Sequence, residues 1–318
     1  MSKKKLLVCT FSGGRTSAFM GLMLKEHPKY KDFEKVYIFA NTGKELPETL
    51  DFINKCDKEW GLNIVWLEAD VQNEKGVGTT FKIVDYDTAS RNGKPFEDML
   101  YKYPLPNNIA SNCTRELKQR PIDKFVKHYI NTDLFLKWCK ENNRVIKNED
   151  IVWNTLDQTT AFLDYKEQIT YEVYTAMGIR WDERHRESNN AEKENIIYPL
   201  IYDLKVDSKF IRDWWDRQSF DLQLKDYEGN CDLCFKKSLK KRLTIIKERP
   251  ETAEWWLNME NNFSSEAIPR FDLRTNVSIE QLLKMAEQPF TKAQDLHELD
   301  KQQCDLFNFE TDCFCKAS

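Results

Sequence analysis

The stretch that decides the fold is Leu6–His27, "LLVCTFSGGRTSAFMGLMLKEH". An apolar run, Leu6 to Phe11, stops at Ser12-Gly13-Gly14-Arg15-Thr16-Ser17, and a helical pattern begins at Ala18. A buried strand, a glycine pair and a helix N-terminus in that order make an anion-binding nest: successive backbone N–H groups and the positive end of the helix point at one spot. Gly13 and Gly14 admit a backbone with positive φ and a close approach by phosphate. Arg15 adds a permanent forked charge, and Ser12, Thr16 and Ser17 add hydroxyls. The loop is not a Walker A sequence, and it lacks the third glycine of the dinucleotide fingerprint.

Outward from this loop the same alternation continues. Lys35–Ala40, "KVYIFA", reads as a second strand, Pro47–Trp60 as a helix opened by proline, and Asn63–Leu67 as a third strand. Strands and helices taking turns imply a parallel, doubly wound α/β sheet with right-handed crossovers. Residues 70–113 carry Gly76, Gly78, Gly93, Pro95, Pro104 and Pro106 in irregular spacing and read as a long loop or lid. Helices are expected over 121–130 and 133–142, and Ile169–Gly178 reads as a late strand of the same sheet. From Val206 the pattern turns helical, over 206–217, 235–249, 250–260 and 278–287. The expected organisation is a nucleotide-binding α/β domain over 1–204 and a helical C-terminal region over 205–318.

Composition narrows the function classes. The 318 residues carry a net charge of −4, so no global basic field points to nucleic acid. Mean hydropathy is −0.68, and no apolar run approaches the roughly 18 residues of a membrane span. "MSKKK" leads straight into a strand with no cleavage site, so no signal peptide is expected. Nine cysteines, an odd number scattered over a long chain, fit reduced thiols in a cytoplasm.

A second motif, "FANTGKELPETLDFI" (39–53), places Asn41-Thr42-Gly43 in a turn after the second strand and Glu45 and Glu48 at the start of the next helix. In an open parallel sheet both loops emerge at the carboxyl edge, where ligands bind. Three further stretches follow in order: "NCTRELKQRPIDKF" (112–125), "MGIRWDERHRES" (177–188) and "IIYPLIYDLKVDSKFIRDWW" (196–215). Together the five stretches resemble the phosphoadenosine phosphosulfate (PAPS) reductase-like family of the adenine nucleotide alpha-hydrolase-like superfamily, over about residues 5–217.

The resemblance implies an enzyme that acts on an adenylyl-sulfate, or cleaves ATP between its α and β phosphates to activate a substrate. Ser12, Gly13, Gly14, Arg15, Thr16 and Ser17 would cradle phosphate, with Asn41, Thr42, Gly43 and Glu48 near the nucleotide. Arg15, Arg115, Lys118, Arg180 and Arg186 would neutralise developing charge. Asp182 and Glu183 would position Mg²⁺ or a basic side chain. ATP pyrophosphatases of the superfamily usually have lysine and aspartate where this chain has Arg15 and Thr16, which weakens the case for Mg²⁺. The terminal "DCFCK" has cysteines where the reductases keep a nucleophile, without their Gly-Ile/Leu-His context. The rival reading is a catalytically silent nucleotide sensor, or a nucleic-acid-binding or modifying module, on the same fold.

Cysteines supply the last signal. "GNCDLC" places Cys231 and Cys234 in a Cys-x-x-Cys knuckle, and Cys313 and Cys315 lie one residue apart near the end. Four thiolates suit Zn²⁺ or a 4Fe–4S cluster, and such a site would tie the tail to the helical region. Cys113 stands where iron–sulfur relatives of the family carry a double cysteine, so it and Cys304 are further ligand candidates. Cys9, Cys56 and Cys139 sit in apolar or helical patterns and read as core thiols. The basic helix "KKSLKKRLTIIKER" (236–249) is a candidate nucleic-acid grip, with a solvated amphipathic face as the simpler account.

Overall fold

The computed structural model of the protein describes residues 2–72, 74, 76–141, 160–296 and 299. Cys304, Cys313 and Cys315 lie outside the described residues, as does 142–159. A six-stranded sheet organises the chain, built from β1 (Ser2–Thr10), β2 (Glu34–Asn41), β3 (Val65–Asp70), β4 (Thr80–Val84), β5 (Ile169–Ala176) and β6 (Ile196–Ile197). Their spatial order is β4-β3-β2-β1-β5-β6. All neighbours run parallel except β4, which pairs antiparallel with β3 at one edge.

Why β1 is central can be read from its side chains. Leu7 and Cys9 enter one hydrophobic core, while Leu6 and Val8 enter the core on the opposite face. Period-two alternation puts them on opposite faces, and a strand covered on both sides must be apolar throughout. Helix α1 (Arg15–Glu26) buries Ala18, Phe19, Met20 and Leu24 against the first core. Helix α2 (Pro47–Trp60) begins with proline at its first turn and ends at Gly61, whose φ of 57° is left-handed.

The chain leaves β1 toward β2 and β3, then returns to place β5 on the other side of β1. Strand order therefore reverses between β1 and β5, and the crevice outside their carboxyl ends is the topological switch point.

The stretch read as a loop or lid is more structured than its pattern implied. It contains β4 and α3 (Lys94–Lys102). Strand β4 escapes a periodicity reading because it is a five-residue edge with Ile83 exposed. A single turn, Asn112–Thr114, continues through a π-helical turn, Arg115–Gln119, into α4 (Arg120–Asn131). Helices α5 (Asp133–Glu141) and α6 (Thr160–Gln168) precede β5. Beyond the sheet come the one-turn helix Pro199–Tyr202, α7 (Ser208–Trp215), α8 (Leu239–Glu248), α9 (Thr252–Phe263) and α10 (Ile279–Glu287).

Residues on both sides of position 204 share cores. Val206, Ile211, Trp215, Leu222 and Leu224 belong to the core under α1 and α2. A second core combines Phe96, Met99, Leu105 and Leu117 with Leu233, Phe235, Trp256 and Leu282. The middle of the chain and the C-terminal helices thus bury one another. Gly93 makes that contact close: a Cβ there would lie 2.6 Å from Trp255.

Candidate functional site at the carboxyl edge

The first loop follows directly from β1. Phe11 still donates to the carbonyl of Ile38 at 2.8 Å, and the chain then turns. Gly13 has φ 81°, and a Cβ there would stand 2.5 Å from Thr49 Cγ2. Gly14 is extended, and the nearest atom to a Cβ built on it is Ser12 Oγ at 3.9 Å. Ser17 Oγ ties the loop, accepting from Ser12 N at 3.1 Å and Ser12 Oγ at 3.0 Å and donating to Gly14 O at 2.9 Å. No side chain caps α1, so its first-turn N–H groups face the loop's open side.

Arg180 reaches this loop across the switch point. Its Nη1 donates to Thr16 Oγ1 at 3.1 Å, while Asp182 and Glu183 hold the same guanidinium at 3.1 and 3.3 Å. Those two acids orient Arg180 in this structure. Gly178, in the stretch 177–188 quoted for the resemblance, is given no role of its own by it; a Cβ there would lie 3.4 Å from Ser17 Cα, so glycine lets the segment after β5 lie on the N-terminus of α1. Arg186 is exposed and paired with Glu183 at 2.5 Å.

Arg15 points elsewhere. Its guanidinium donates to both carboxylate oxygens of Asp221, at 2.7 and 2.8 Å, and to the carbonyls of Leu222 and Leu224. Trp215 Nε1 donates to the carbonyl of Arg15 at 3.0 Å. These bonds clasp the 215–224 segment to α1. The forked geometry expected to serve phosphate is used on a carboxylate.

The second loop is shaped by its own side chains. Asn41 is fully buried, its amide donating to Glu68 Oε1 at 2.7 Å and to Ser90 O at 2.8 Å, with Gly43 N donating to its Oδ1. Thr42 donates through both N and Oγ1 to Glu45 Oε2. Asn41, Thr42 and Gly43 therefore hold the turn at the end of β2. Glu48 Oε1 accepts from Arg249 at 2.7 Å. Glu45 Oε1, Glu48 Oε2 and Thr49 Oγ1 are buried without a hydrogen-bond partner. Among the described residues these three atoms within five residues form a polar spot without hydrogen bonds of its own, in which Glu45 Oε1 has only the Lys118 ammonium, at 3.6 Å.

The Cys-x-x-Cys knuckle docks on this second loop. Cys231 forms a β-bridge with Glu45, and its Sγ lies 3.5 Å from Thr42 Oγ1. Asp232 N donates to Lys44 O at 2.8 Å, and Lys44 Nζ pairs with Asp232 at 2.9 Å while lying 4.6 Å over the Trp255 ring. Trp256 Nε1 donates to Asp232 Oδ1 at 2.7 Å. Cys113 and Cys234 pack partly buried against the same core. Lys118 stands among these groups, 3.6 Å from Glu45. Burial opposes its charge, yet the neighbouring Glu45 carboxylate holds its pKa above the ordinary lysine value. Burial pushes the Cys231 thiol well up, with Glu45 adding to the effect. Arg115 lies at the exposed rim, paired with Glu116.

The four-cysteine metal expectation finds no support here. Among the described residues no three His, Cys, Asp or Glu side chains form a metal-binding group, and Cys313 and Cys315 fall outside them. Cys231 faces Thr42 and Glu45. The basic helix is likewise reduced as a nucleic-acid grip. Lys237 Nζ caps the carbonyls of Tyr227, Glu228 and Gly229, and Arg242 is buried on Asp272. Cys9, Cys56 and Cys139 are buried core thiols, as their patterns implied.

A pyrophosphate-type loop, a second acidic loop and an arginine segment meet at the carboxyl edge of one parallel sheet. Residues 6–193 match the phosphoadenosine phosphosulfate reductase domain. The chain belongs to that family. The reductase-domain chain is also similar to the uncharacterized nin region protein ORF290 of Escherichia phage lambda, at 28% identity over 248 residues, covering 74% of this chain and 67% of the phage protein. An uncharacterized protein of Methanocaldococcus jannaschii is 27% identical over 128 residues, covering 40% of this chain and 24% of the archaeal one. No solved structure matches. Among the described residues no helix is long and apolar enough to cross a membrane.

Proposed function

We propose that the protein is an adenine-nucleotide-dependent enzyme whose nucleotide phosphates sit on Ser12–Ser17, between the uncapped end of α1 and Arg180. The observation that carries this reading is the loop itself. A Cβ at Gly14 would meet nothing closer than 3.9 Å, no side chain caps α1 among the described residues, and Arg180 is held at the loop's rim by Asp182 and Glu183. Backbone donors and a fixed guanidinium stabilise charge without reorganising during a reaction. Lys118 is the second cation of the site, with Arg115 further out. Arg15 acts through structure.

Between the two reactions of the family, the thiols around Lys118 favour sulfur chemistry on an adenylyl-sulfate. Cys234 is partly exposed, whereas Cys231 is buried. A Cys234 thiolate attacks the sulfur, the sulfur–oxygen bond to the nucleotide breaks, and the adenosine phosphate leaves. A second thiolate, from an added dithiol, then attacks Cys234 Sγ, releasing sulfite and forming a disulfide. No step is assigned to Zn²⁺, iron–sulfur or Mg²⁺.

The test is a product assay on the full chain with dithiothreitol. Sulfite from PAPS or adenylyl-sulfate, abolished in Cys234→Ser with nucleotide binding retained, is expected. Pyrophosphate from ATP alone would transfer the reading to the ATP branch. If calorimetric titration shows neither PAPS, adenylyl-sulfate nor ATP binding, the nucleotide reading fails.

A further inference from the structure

Beside the Arg180 segment lies a cleft of about 420 Å³ lined by Trp181, Arg184, His185, Glu187, Ile201 and Tyr202. Its two aromatic rings are unusually open: Trp181 is 40% and Tyr202 66% exposed. Large rings normally leave water, and exposed ones gathered at a cleft mark a binding surface. The Arg184 guanidinium lies 5.0 Å over the Trp181 ring and forms no ion pair among the described residues. Glu187, the one carboxylate of the lining, accepts the Tyr202 hydroxyl at 2.7 Å. The cleft is thus an aromatic platform whose guanidinium rests on a ring and on no carboxylate among the described residues. Trp181 N donates to Val206 O at 2.9 Å, which fixes the backbone under the platform. Arg180, one residue earlier, is bonded to Thr16 of the phosphate loop.

We propose that this cleft stacks an unpaired base of a single-stranded nucleic acid, with Arg184 meeting the adjoining backbone phosphate. Rings flanked by arginine are how single strands are held without sequence readout, and every base has a face to stack. A free mononucleotide would share the base chemistry, but its phosphates are claimed by the loop at the head of α1. A polymer supplies both a base and a phosphate to this cleft while the nucleotide site is filled. The inference rests on the nucleotide reading and adds to it a single strand bound beside the nucleotide site.

The experiment uses the full chain and fluorescein-labelled ten-nucleotide pyrimidine strands, RNA and DNA, in 50 mM salt, read by anisotropy. Trp181→Ala and Tyr202→Ala should each weaken binding about 5- to 150-fold, since stacking contributes ~1–3 kcal/mol per base. Trp181→Phe should recover most of the loss, and Arg184→Ala should flatten the salt dependence. ATP and PAPS affinity, titrated on the same proteins, should not change. A 4-thiouridine strand irradiated on the native protein should cross-link within 181–202, which requires no variant to fold. Absence of strand binding by the native chain, equal binding by Trp181→Ala and Tyr202→Ala, or cross-links confined elsewhere would overturn the proposal. Equal loss of mononucleotide and strand would assign the cleft to the mononucleotide and overturn it too. The nucleotide reading fails separately, through the native chain's own titration with ATP and PAPS.

Discussion

The two loop glycines should behave oppositely when substituted. Gly13→Ala forces an L-residue to φ 81° and drives its Cβ to 2.5 Å from Thr49 Cγ2 and 3.2 Å from Ile53 Cδ1. Both neighbours are buried on α2, so neither swings away. Left-handed backbone costs ~1–2 kcal/mol and overpacking ~1–3 kcal/mol, a loss of about 2–5 kcal/mol in all. Gly14→Asp meets neither obstacle. Its φ of −99° and ψ of 159° suit any residue, and the nearest atom to its Cβ is 3.9 Å away. Aspartate is a favoured N-cap, so stability should hold or rise by up to ~1 kcal/mol. The same carboxylate would stand where phosphate oxygens bind. Two charges about 5 Å apart at an effective dielectric near 20 repel by ~3 kcal/mol, a loss of more than ~100-fold in affinity. Thermal melting and calorimetric titration with ATP and PAPS separate the two effects. Native melting in Gly13→Ala, or native affinity in Gly14→Asp, would refute the reading of this loop.

Three other outcomes follow from the same geometry. Arg15→Ala should lower stability by ~1.5–3 kcal/mol through loss of charge-assisted bonds, with nucleotide affinity changed less than tenfold; a large affinity loss at unchanged melting would return Arg15 to the phosphates. Lys44→Met leaves Asp232 charged with its side chain only 9% exposed, and should destabilise the chain by ~3–5 kcal/mol in denaturant titration, detaching the Cys-x-x-Cys knuckle from the second loop. Acid should unfold the protein through Glu116 and Asp272. Burial opposes their charge, but hydrogen bonds from Thr79 and Thr275 and arginine neighbours hold both pKa values below the usual carboxylate range. A depressed native pKa stabilises fully above the unfolded value, ~4, and that stability is lost as pH falls through the native value. Melting temperature should hold down to about pH 5 and drop below pH 4, and Asp272→Asn should shrink that drop.

The strand–loop–helix of Leu6–His27 was legible because local physics dictates it. Leu6 to Cys9 must be apolar on both faces in a central strand, Gly13 must reach positive φ, and Pro47 and Gly61 bracket α2 by backbone geometry alone. Five ordered motifs then carried the family. Tertiary structure decided what each charge and thiol does. Arg15 has the right chemistry for phosphate, but Asp221, 206 residues away, takes its guanidinium. Lys237 and Arg242 look like surface charge in a basic run, yet the fold spends them on loop carbonyls and on buried Asp272. Cys231 and Cys234 read as half of a metal site at the far end of the chain. Packing sets Cys231 against Thr42 and Glu45 at the carboxyl edge of the sheet. A side chain's reach and pKa depend on partners distant in sequence, and those partners are chosen by how the cores close; local pattern carries the backbone conformations, and only the closed fold assigns the partners.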